Sequence, residues 1–516
     1  MVTQQSRREA VACVESGDTV GIGGFVATGI PEAVLAALGD RYERTRAPQD
    51  LTLYQPAAEG DRQGHGVSHL VQEGMLERTI ASHWGFTPDL MAAVVNNEIE
   101  AYNLPFGVLD HLLRDTAAGK PGTITHVGLD TFVDPRRDGG KANAVTSEDL
   151  VERVTLDGTE YLFYHAVPID VAVIRGTTAD EHGNVTMERE ALASNMLALA
   201  QAAHNTGGRV IAQVERVTSA GTLAPHDVAV PGVVVDSVVE ASPDDHPQTY
   251  GSAYDPAHSG TVRPPTPSTD PLPIDERTII ARRAAMELDA GAVINLGVGI
   301  PELVSTAAAE GGVGDAITET VESGPVGGAA SGGIEFGTAV NHDALVSSPQ
   351  QFDFYDGGGL DVGFLGMAQV DAQGNVNVSR FGSQFPGCGG FINITQNAAA
   401  VVFCGTLTTG GLSVAVADGT ITVTSEGAHS KFVEDVEHVT FSADHALETD
   451  QSVVYVTERA VFELTPDGLT LTEVAPGIDP GAVIAQLGFD PAVADSLGVM
   501  PARLFADAPP DLTDVV

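Results

Sequence analysis

A chain of 516 residues exceeds what one hydrophobic core ordinarily organises, so at least two domains are expected. With 43% hydrophobic and 18% charged residues the composition is that of a packed globular protein and excludes a disordered one. Seventy acidic residues against 25 basic ones give a formal net charge of −45, a surface that repels phosphate backbones and anionic lipid and so excludes nucleic acid and membrane surfaces as partners.

Lysine is nearly absent, Lys120, Lys141 and Lys431 being the examples. Acid spread along the whole chain, not gathered in a tail, points to an intracellular protein of a salt-accumulating organism, because self-repulsion on this scale is relieved by salt screening. Cys13, Cys388 and Cys404 are too few and too scattered for a disulfide framework, in agreement with a reducing compartment. The first residues lead into an amphipathic helix pattern instead of an apolar signal core. No apolar run is long enough to span a bilayer, so a cytoplasmic location is expected.

In chain order, residues 16–38 (SGDTVGIGGFVATGIPEAVLAAL) predict a strand, a glycine turn and a helix opening at Ile30-Pro31-Glu32. Residues 169–189 (IDVAVIRGTTADEHGNVTMER) predict two β runs around a Gly-Asn turn. Both patterns return, in the same order, at 289–308 (DAGAVINLGVGIPELVSTAA) and 360–381 (LDVGFLGMAQVDAQGNVNVSRF). Two echoes in matching order argue for a duplicated α/β domain. The spacing from Ile30 to His182 is about twice that from Ile300 to Gln373, which predicts an insertion in the first half, roughly within 58–150. The segment 241–275 is rich in Pro, Ser, Asp and Gly and reads as a surface connector. The expected organisation is therefore a first domain over 1–240, a connector over 241–275 and a second domain over 276–516. Strands alternating with helices predict open, mostly parallel sheets whose ligands collect at the strands' carboxyl ends.

Residues 318–333 (TETVESGPVGGAASGG) set two carboxylates, Glu319 and Glu322, among small residues that let a bulky ligand approach. From the bare residues, a loop or cap acid on an already acidic surface is the simpler reading of Glu322. Residues 381–397 (FGSQFPGCGGFINITQN) offer successive unhindered N–H groups, as an oxyanion hole requires, and equally fit an ordinary loop. Residues 295–302 (NLGVGIPE) place further N–H groups at a helix N-terminus suited to phosphate or carboxylate.

Taken together the chain resembles family I CoA-transferases, in particular the single-chain acetate or propionate CoA-transferase type in which two homologous halves are fused. The resemblance is carried by GIGGF at 21–25, Gly85, AYNLP at 101–105, AGKPGTITHVGLDTFVDPR at 118–136, EHGN at 181–184, VESGPVGG at 321–328, GGGLDV at 357–362, GCGGFINI at 387–394 and YVTERAVFEL at 455–464. Each piece is weak alone, and the ordered set is specific. The resemblance implies two α/β domains with the active site between them and Glu322 as nucleophile. It implies that the amides near Val298 and Gly299, and of Gly389 and Gly390, line the oxyanion and thioester site, faced by Gly23, Gly24 and Phe25 from the first half; Glu319 falls outside the match. It further implies ping-pong transfer of CoA from a short-chain acyl-CoA to a carboxylic acid through a glutamyl-CoA thioester, with CoA as substrate, no permanently bound cofactor, no metal and a homo-oligomer. Phe106 departs from the polar residue expected after the Asn-Leu-Pro turn in many relatives, which bears on acceptor size and polarity.

Three other functions compete. A nicotinamide dehydrogenase would rest on Gly21-x-Gly23 and Gly297-x-Gly299, but the sixth positions of the fingerprint are Val26 and Glu302, not glycine. An acyl-CoA hydrolase on the same scaffold shares every motif and is separated only by the ratio of transfer to hydrolysis. An acidic ligand-binding regulator leaves the glycine-framed Glu322 without purpose. His65, His69 and His83 have spacings compatible with a metal site but lack a tight ligand motif, so packed or surface histidines are the expectation.

Overall fold

A computed structural model describes residues 2–265 and 271–513; residues 266–270 of the expected connector lie outside them. The chain divides into two compact units. The first comprises 1–264, 321–353 and 383–393, and the second 265–320, 354–382 and 394–516. Glu322 thus belongs to the second repeat by sequence and to the first unit by packing.

In the first unit, strands Thr19–Ile22, Leu51–Gln55, Leu76–Ala81 and Glu100–Asn103 run parallel to one side of Val171–Asp180. Arg209–Thr218 and Ser237–Glu240 run parallel on its other side. Every residue of Val171–Asp180 is buried, as a central parallel strand covered on both faces must be. Helices Glu32–Thr45 and Phe106–Ala117 are among those whose buried faces feed the cores around Leu35, Leu38, Leu109 and Leu112. Between Leu51–Gln55 and Val171–Asp180 the longer first half builds two further strands of the main sheet. It also builds much of an antiparallel three-stranded sheet, Gly122–Thr125, Val151–Leu156 and Thr159–His165.

The second unit repeats the plan. Thr318–Thr320, Val293–Leu296, Val362–Gly366, Ala400–Cys404 and Ser452–Val456 are parallel neighbours in that order, matching the first unit's 51–55, 19–22, 171–180, 209–218 and 237–240. Ala460–Thr465 and Gly468–Val474 then continue antiparallel. The Gly-Asn turns agree to the atom. Asp180 accepts from the Asn184 N–H and side-chain amide at 3.0 Å each, and Asp371 accepts from Asn375 at 2.9 and 3.0 Å. The intervening Gly183 and Gly374 hold φ of +81° and +96°, a region costly for residues bearing Cβ. The mostly parallel α/β architecture expected from the sequence is the observed one. No helix among the described residues is long and apolar enough to cross a membrane.

Candidate active site

Glu322 stands in a tight turn. The Gly324 N–H donates to the Val321 carbonyl at 2.9 Å, the Val346 N–H returns to the Gly324 carbonyl at 3.0 Å, and Ser323 is tied by its hydroxyl to Gly337. Gly324 has φ +130°, and a Cβ there would overlap the Val346 carbonyl, so the position requires glycine. The turn leaves the Glu322 side chain half-buried with no hydrogen-bond partner among the described residues.

The segment 383–393 lies against that carboxylate. A Cβ on Gly390 would overlap Oε2 of Glu322 and stand 3.2 Å from the Phe352 ring, so only glycine lets this backbone touch the carboxyl. Asn103, the Asn of the Asn-Leu-Pro motif, anchors the segment: its Oδ1 accepts from the Cys388 N–H at 3.1 Å and its Nδ2 donates to Ser82 O at 2.7 Å. The first turn of helix Phe106–Ala117 completes the frame, with the Phe106 N–H donating to Gly389 O at 3.0 Å and the Gly107 N–H to Asn393 Oδ1 at 3.1 Å.

The candidate oxyanion donors are not equivalent. The Gly389 N–H is committed to Ser82 O at 2.9 Å, the Gly23 N–H to Val173 O at 3.0 Å and the Phe25 N–H to Thr28 O at 3.0 Å. Gly390 and Gly24 keep amides without a partner among the described residues. Within the first unit, Glu322 and Gly390 are brought into contact, and Gly23, Gly24 and Phe25 form the glycine turn. Phe25 packs 5.5 Å from the Phe106 ring, which in turn meets Phe352 edge-on at 5.0 Å. Phe106 is therefore a buried part of this aromatic set. Val298 and Gly299 belong to the second unit, where Val298 is 57% exposed and the Gly299 N–H points to the carboxyl of Glu302.

Electrostatics single out three carboxyls. Burial, and secondarily the charge of Asp110, pushes Glu322 up to about 7. Asp110 is fully buried and likewise raised to about 7 by burial. Asn195 donates to its Oδ1 at 3.0 Å, while Oδ2 has no partner and the Ser348 hydroxyl lies near but outside hydrogen-bonding geometry. Glu59 is raised by burial to about 8, its Oε1 accepting from the Ala57 N–H at 3.1 Å and its Oε2 unpartnered. Asp110, Glu59, Asn195, Asn103 and Phe352 were not among the residues expected from sequence. Asn103 lay in the AYNLP motif without a role assigned to it, and for Asp110 the signal was an acid inside the apolar run FGVLDHLL.

Each of the three histidines considered from sequence has a polar neighbour. His65 Nδ1 lies 2.6 Å from Asp61 and His69 Nε2 2.6 Å from Glu32, and the Gly85 N–H donates to His83 Nδ1 at 3.0 Å. No group of side chains suited to a metal ion occurs among the described residues.

A duplicated, mostly parallel α/β chain presenting a raised, unpaired carboxyl against a glycine backbone has the makings of an acyl-transfer protein. Residues 5–241 match the family Coenzyme A transferase. The caffeate CoA-transferase of Acetobacterium woodii is 44% identical over 97% of this chain and 97% of its own. The acetate CoA-transferase YdiF of Escherichia coli O157:H7 is 44% identical over 97% and 93%. The crystal structure of that organism's acyl-CoA transferase YdiF, as its thioester complex with CoA, superposes with a TM-score of 0.92 at 41% identity, covering 98% of this chain and 97% of the other. The chain belongs to the coenzyme A transferase family and is a CoA-transferase.

Proposed function

We propose that the enzyme moves CoA from a short-chain acyl-CoA to a carboxylic acid through a thioester on Glu322. The observation that carries this reading is the contact between the Glu322 carboxyl, unpaired and raised to about 7, and the Gly390 backbone, whose N–H is free. Glu322 attacks the donor carbonyl to give an acyl-glutamyl anhydride and CoA thiolate. The thiolate then attacks the glutamyl carbonyl and releases the donor acid. An acceptor carboxylate runs both steps in reverse, which makes the kinetics ping-pong. Exchange of one thioester for another requires no ATP or redox change. The Gly390 amide is the candidate oxyanion donor, a contribution of about 3–4 kcal/mol for a well-placed group. A raised carboxyl is a stronger nucleophile once ionised than an ordinary one, and its burial keeps water from the intermediate.

Supporting the short-chain class, Phe25, Phe106 and Phe352 pack in series, and Phe352 lies against Gly390, an apolar neighbourhood suited to a small acyl group. The test is incubation with propionyl-CoA and no acceptor, followed by peptide mass mapping. A CoA adduct on Glu322 is expected, absent in Glu322→Ala, and transfer in that variant is expected to vanish with the fold retained. Glu322→Asp is expected to lose about 100-fold, because the attacking oxygen is withdrawn by one methylene. Transfer at the wild-type rate by Glu322→Ala would remove the assignment. A ratio of hydrolysis to transfer above one with acetate present would make the enzyme a hydrolase.

A further inference from the structure

A second set of polar groups in the first unit is built on one residue, Gly85. The Gly85 N–H donates to His83 Nδ1 at 3.0 Å, and its carbonyl accepts from Arg62 Nε at 2.9 Å. A Cβ on Gly85 would overlap His83 Cε1, so only glycine lets the imidazole lie against this backbone. Arg62 holds φ of +66°, a left-handed backbone unfavourable for a residue bearing Cβ, and its N–H closes on the Phe86 carbonyl at 2.8 Å. Both side chains approach the Phe86 ring, the guanidinium carbon at 4.4 Å from its centroid and the imidazole at 6.3 Å between centroids. With Nδ1 accepting, the neutral imidazole carries its proton on Nε2. Burial, and then the charge of Arg62, holds His83 down to about 4, so the ring is neutral near pH 7. Among the described residues neither His83 Nε2 nor the two Nη groups of Arg62 have a hydrogen-bond partner, and Arg62 meets no carboxylate although acids outnumber bases 70 to 25. Arg62 is exposed and His83 half-buried. Backbone contacts join this group to the candidate active site. His83 and Gly387 form an antiparallel bridge and the Trp84 N–H donates to Pro386 O at 2.6 Å, so residues 82–84 hold the segment whose Gly390 touches Glu322.

Resting on the reading of Glu322 as the residue that takes CoA, we propose that Arg62 and His83 are binding residues for an anionic oxygen group carried by a substrate, either a phosphoryl group of the CoA donor or the second carboxylate of a dicarboxylic acid. The guanidinium presents two free Nη groups in a planar fork that matches the paired oxygens of either group, and the neutral imidazole adds one N–H donor. Stacking on Phe86 covers one face of the guanidinium and leaves the Nη groups for the ligand. A net charge of −45 opposes the approach of any anion, so a fixed local cation is what a charged substrate needs here. Binding energy gained on a group remote from the reacting carbonyl positions the substrate without entering the chemical step. Gly85, one of the positions that carry the family resemblance, acquires a role as the residue that orients both donors.

The experiment compares Arg62→Met, His83→Phe and His83→Gln with the wild type in steady-state transfer at fixed ionic strength, with thermal midpoints measured in the same buffer. Propionyl-CoA and propionyl-pantetheine serve as donors that differ by the phosphorylated nucleotide, and acetate and succinate as acceptors that differ by one carboxylate. Where an acid is not turned over, its inhibition constant against acetate is read instead. Arg62→Met is expected to raise KM by about 10- to 100-fold for propionyl-CoA, if the group held is a phosphoryl, or for succinate, if it is a carboxylate, with kcat kept. Values for propionyl-pantetheine and acetate are expected to stay at those of the wild type. His83→Phe is expected to lose about 3- to 10-fold on the same substrate, and His83→Gln to restore most of it, because its amide can accept from Gly85 and donate outward as the imidazole does. Unchanged values for both propionyl-CoA and succinate in Arg62→Met overturn the inference and leave Arg62 as a cap on Phe86. A rise of equal size for propionyl-pantetheine and acetate, or a fall in kcat with KM kept, overturns it in favour of packing. Should Arg62→Met lose its thermal transition, Arg62→Lys takes its place; it keeps the charge and loses the fork, and a smaller rise confined to the same substrate is expected. Absence of a CoA adduct on Glu322 in the wild type overturns the nucleophile and leaves these comparisons standing, so the two failures are distinct.

Discussion

Replacing Glu322 by glutamine is expected to stabilise the protein above neutral pH and to leave its stability nearly unchanged at the acid end. Burial raises this carboxyl from its ordinary 4.5 to about 7. An acid with a raised value in the folded state binds its proton more tightly there than in the unfolded chain. The resulting stabilisation is present below about pH 4.5 and is lost as pH rises through about 7. At ~1.4 kcal/mol per pH unit that interval sets a ceiling of about 3 kcal/mol, which the residual exposure of the carboxyl trims to about 2. Glutamine keeps the shape and removes the ionisation. Its thermal midpoint is expected to exceed that of the wild type by about 2 °C at pH 8, at roughly 1 °C per kcal/mol for a chain of 516 residues, and by little at pH 4.5. Differential scanning fluorimetry of both proteins across this range measures the difference, with a transfer assay confirming that the variant is inactive. An offset of the same size at both ends would refute the argument, because it would mean that packing and not the buried charge separates the two proteins.

Gly390→Ala is expected to lower adduct formation by about 100-fold or more, since the added methyl overlaps Oε2 of Glu322 and displaces the reacting oxygen; mass mapping at fixed times reads the loss. Asn103→Ala is expected to cost about 2–4 kcal/mol, because it removes a buried side chain that accepts from the Cys388 N–H and donates to Ser82 O, and a thermal midpoint unchanged from wild type would contradict it. With a net charge of −45, the wild-type midpoint is expected to rise with added KCl as screening relieves self-repulsion, while a midpoint independent of salt would dispose of the salt-adapted reading.

Much of the architecture was legible because it rests on local chemistry. The Gly-Asn turns at 183–184 and 374–375 need glycine for a left-handed backbone and asparagine to bond the aspartate before it, so each half advertises the same turn in the same place. The Ile-Pro-Glu helix openings do likewise, Gly29 and Gly299 both holding positive φ ahead of them. What was not legible is how the chain distributes itself. A repeat in sequence divides the chain near 240–276, whereas packing draws 321–353 and 383–393 into the first compact unit. No local pattern reports long-range exchange of that kind.

The donors at the candidate site show the same boundary between local and distant information. Glycine-rich sequence identifies where N–H groups are unhindered, but whether one is free depends on what arrives from elsewhere. Gly389 is engaged by Ser82, more than 300 residues earlier, while its neighbour Gly390 is not. Asp110 escapes notice for a related reason, since a lone acid at helical spacing reads as the wet face of an amphipathic helix. Only the covering of that face by Asn195 and the 344–353 segment turns it into a buried group able to act on Glu322. The glycine frame of the proposed nucleophile is therefore local and legible in the sequence, whereas the burial of Asp110 exists only once distant segments have closed over it.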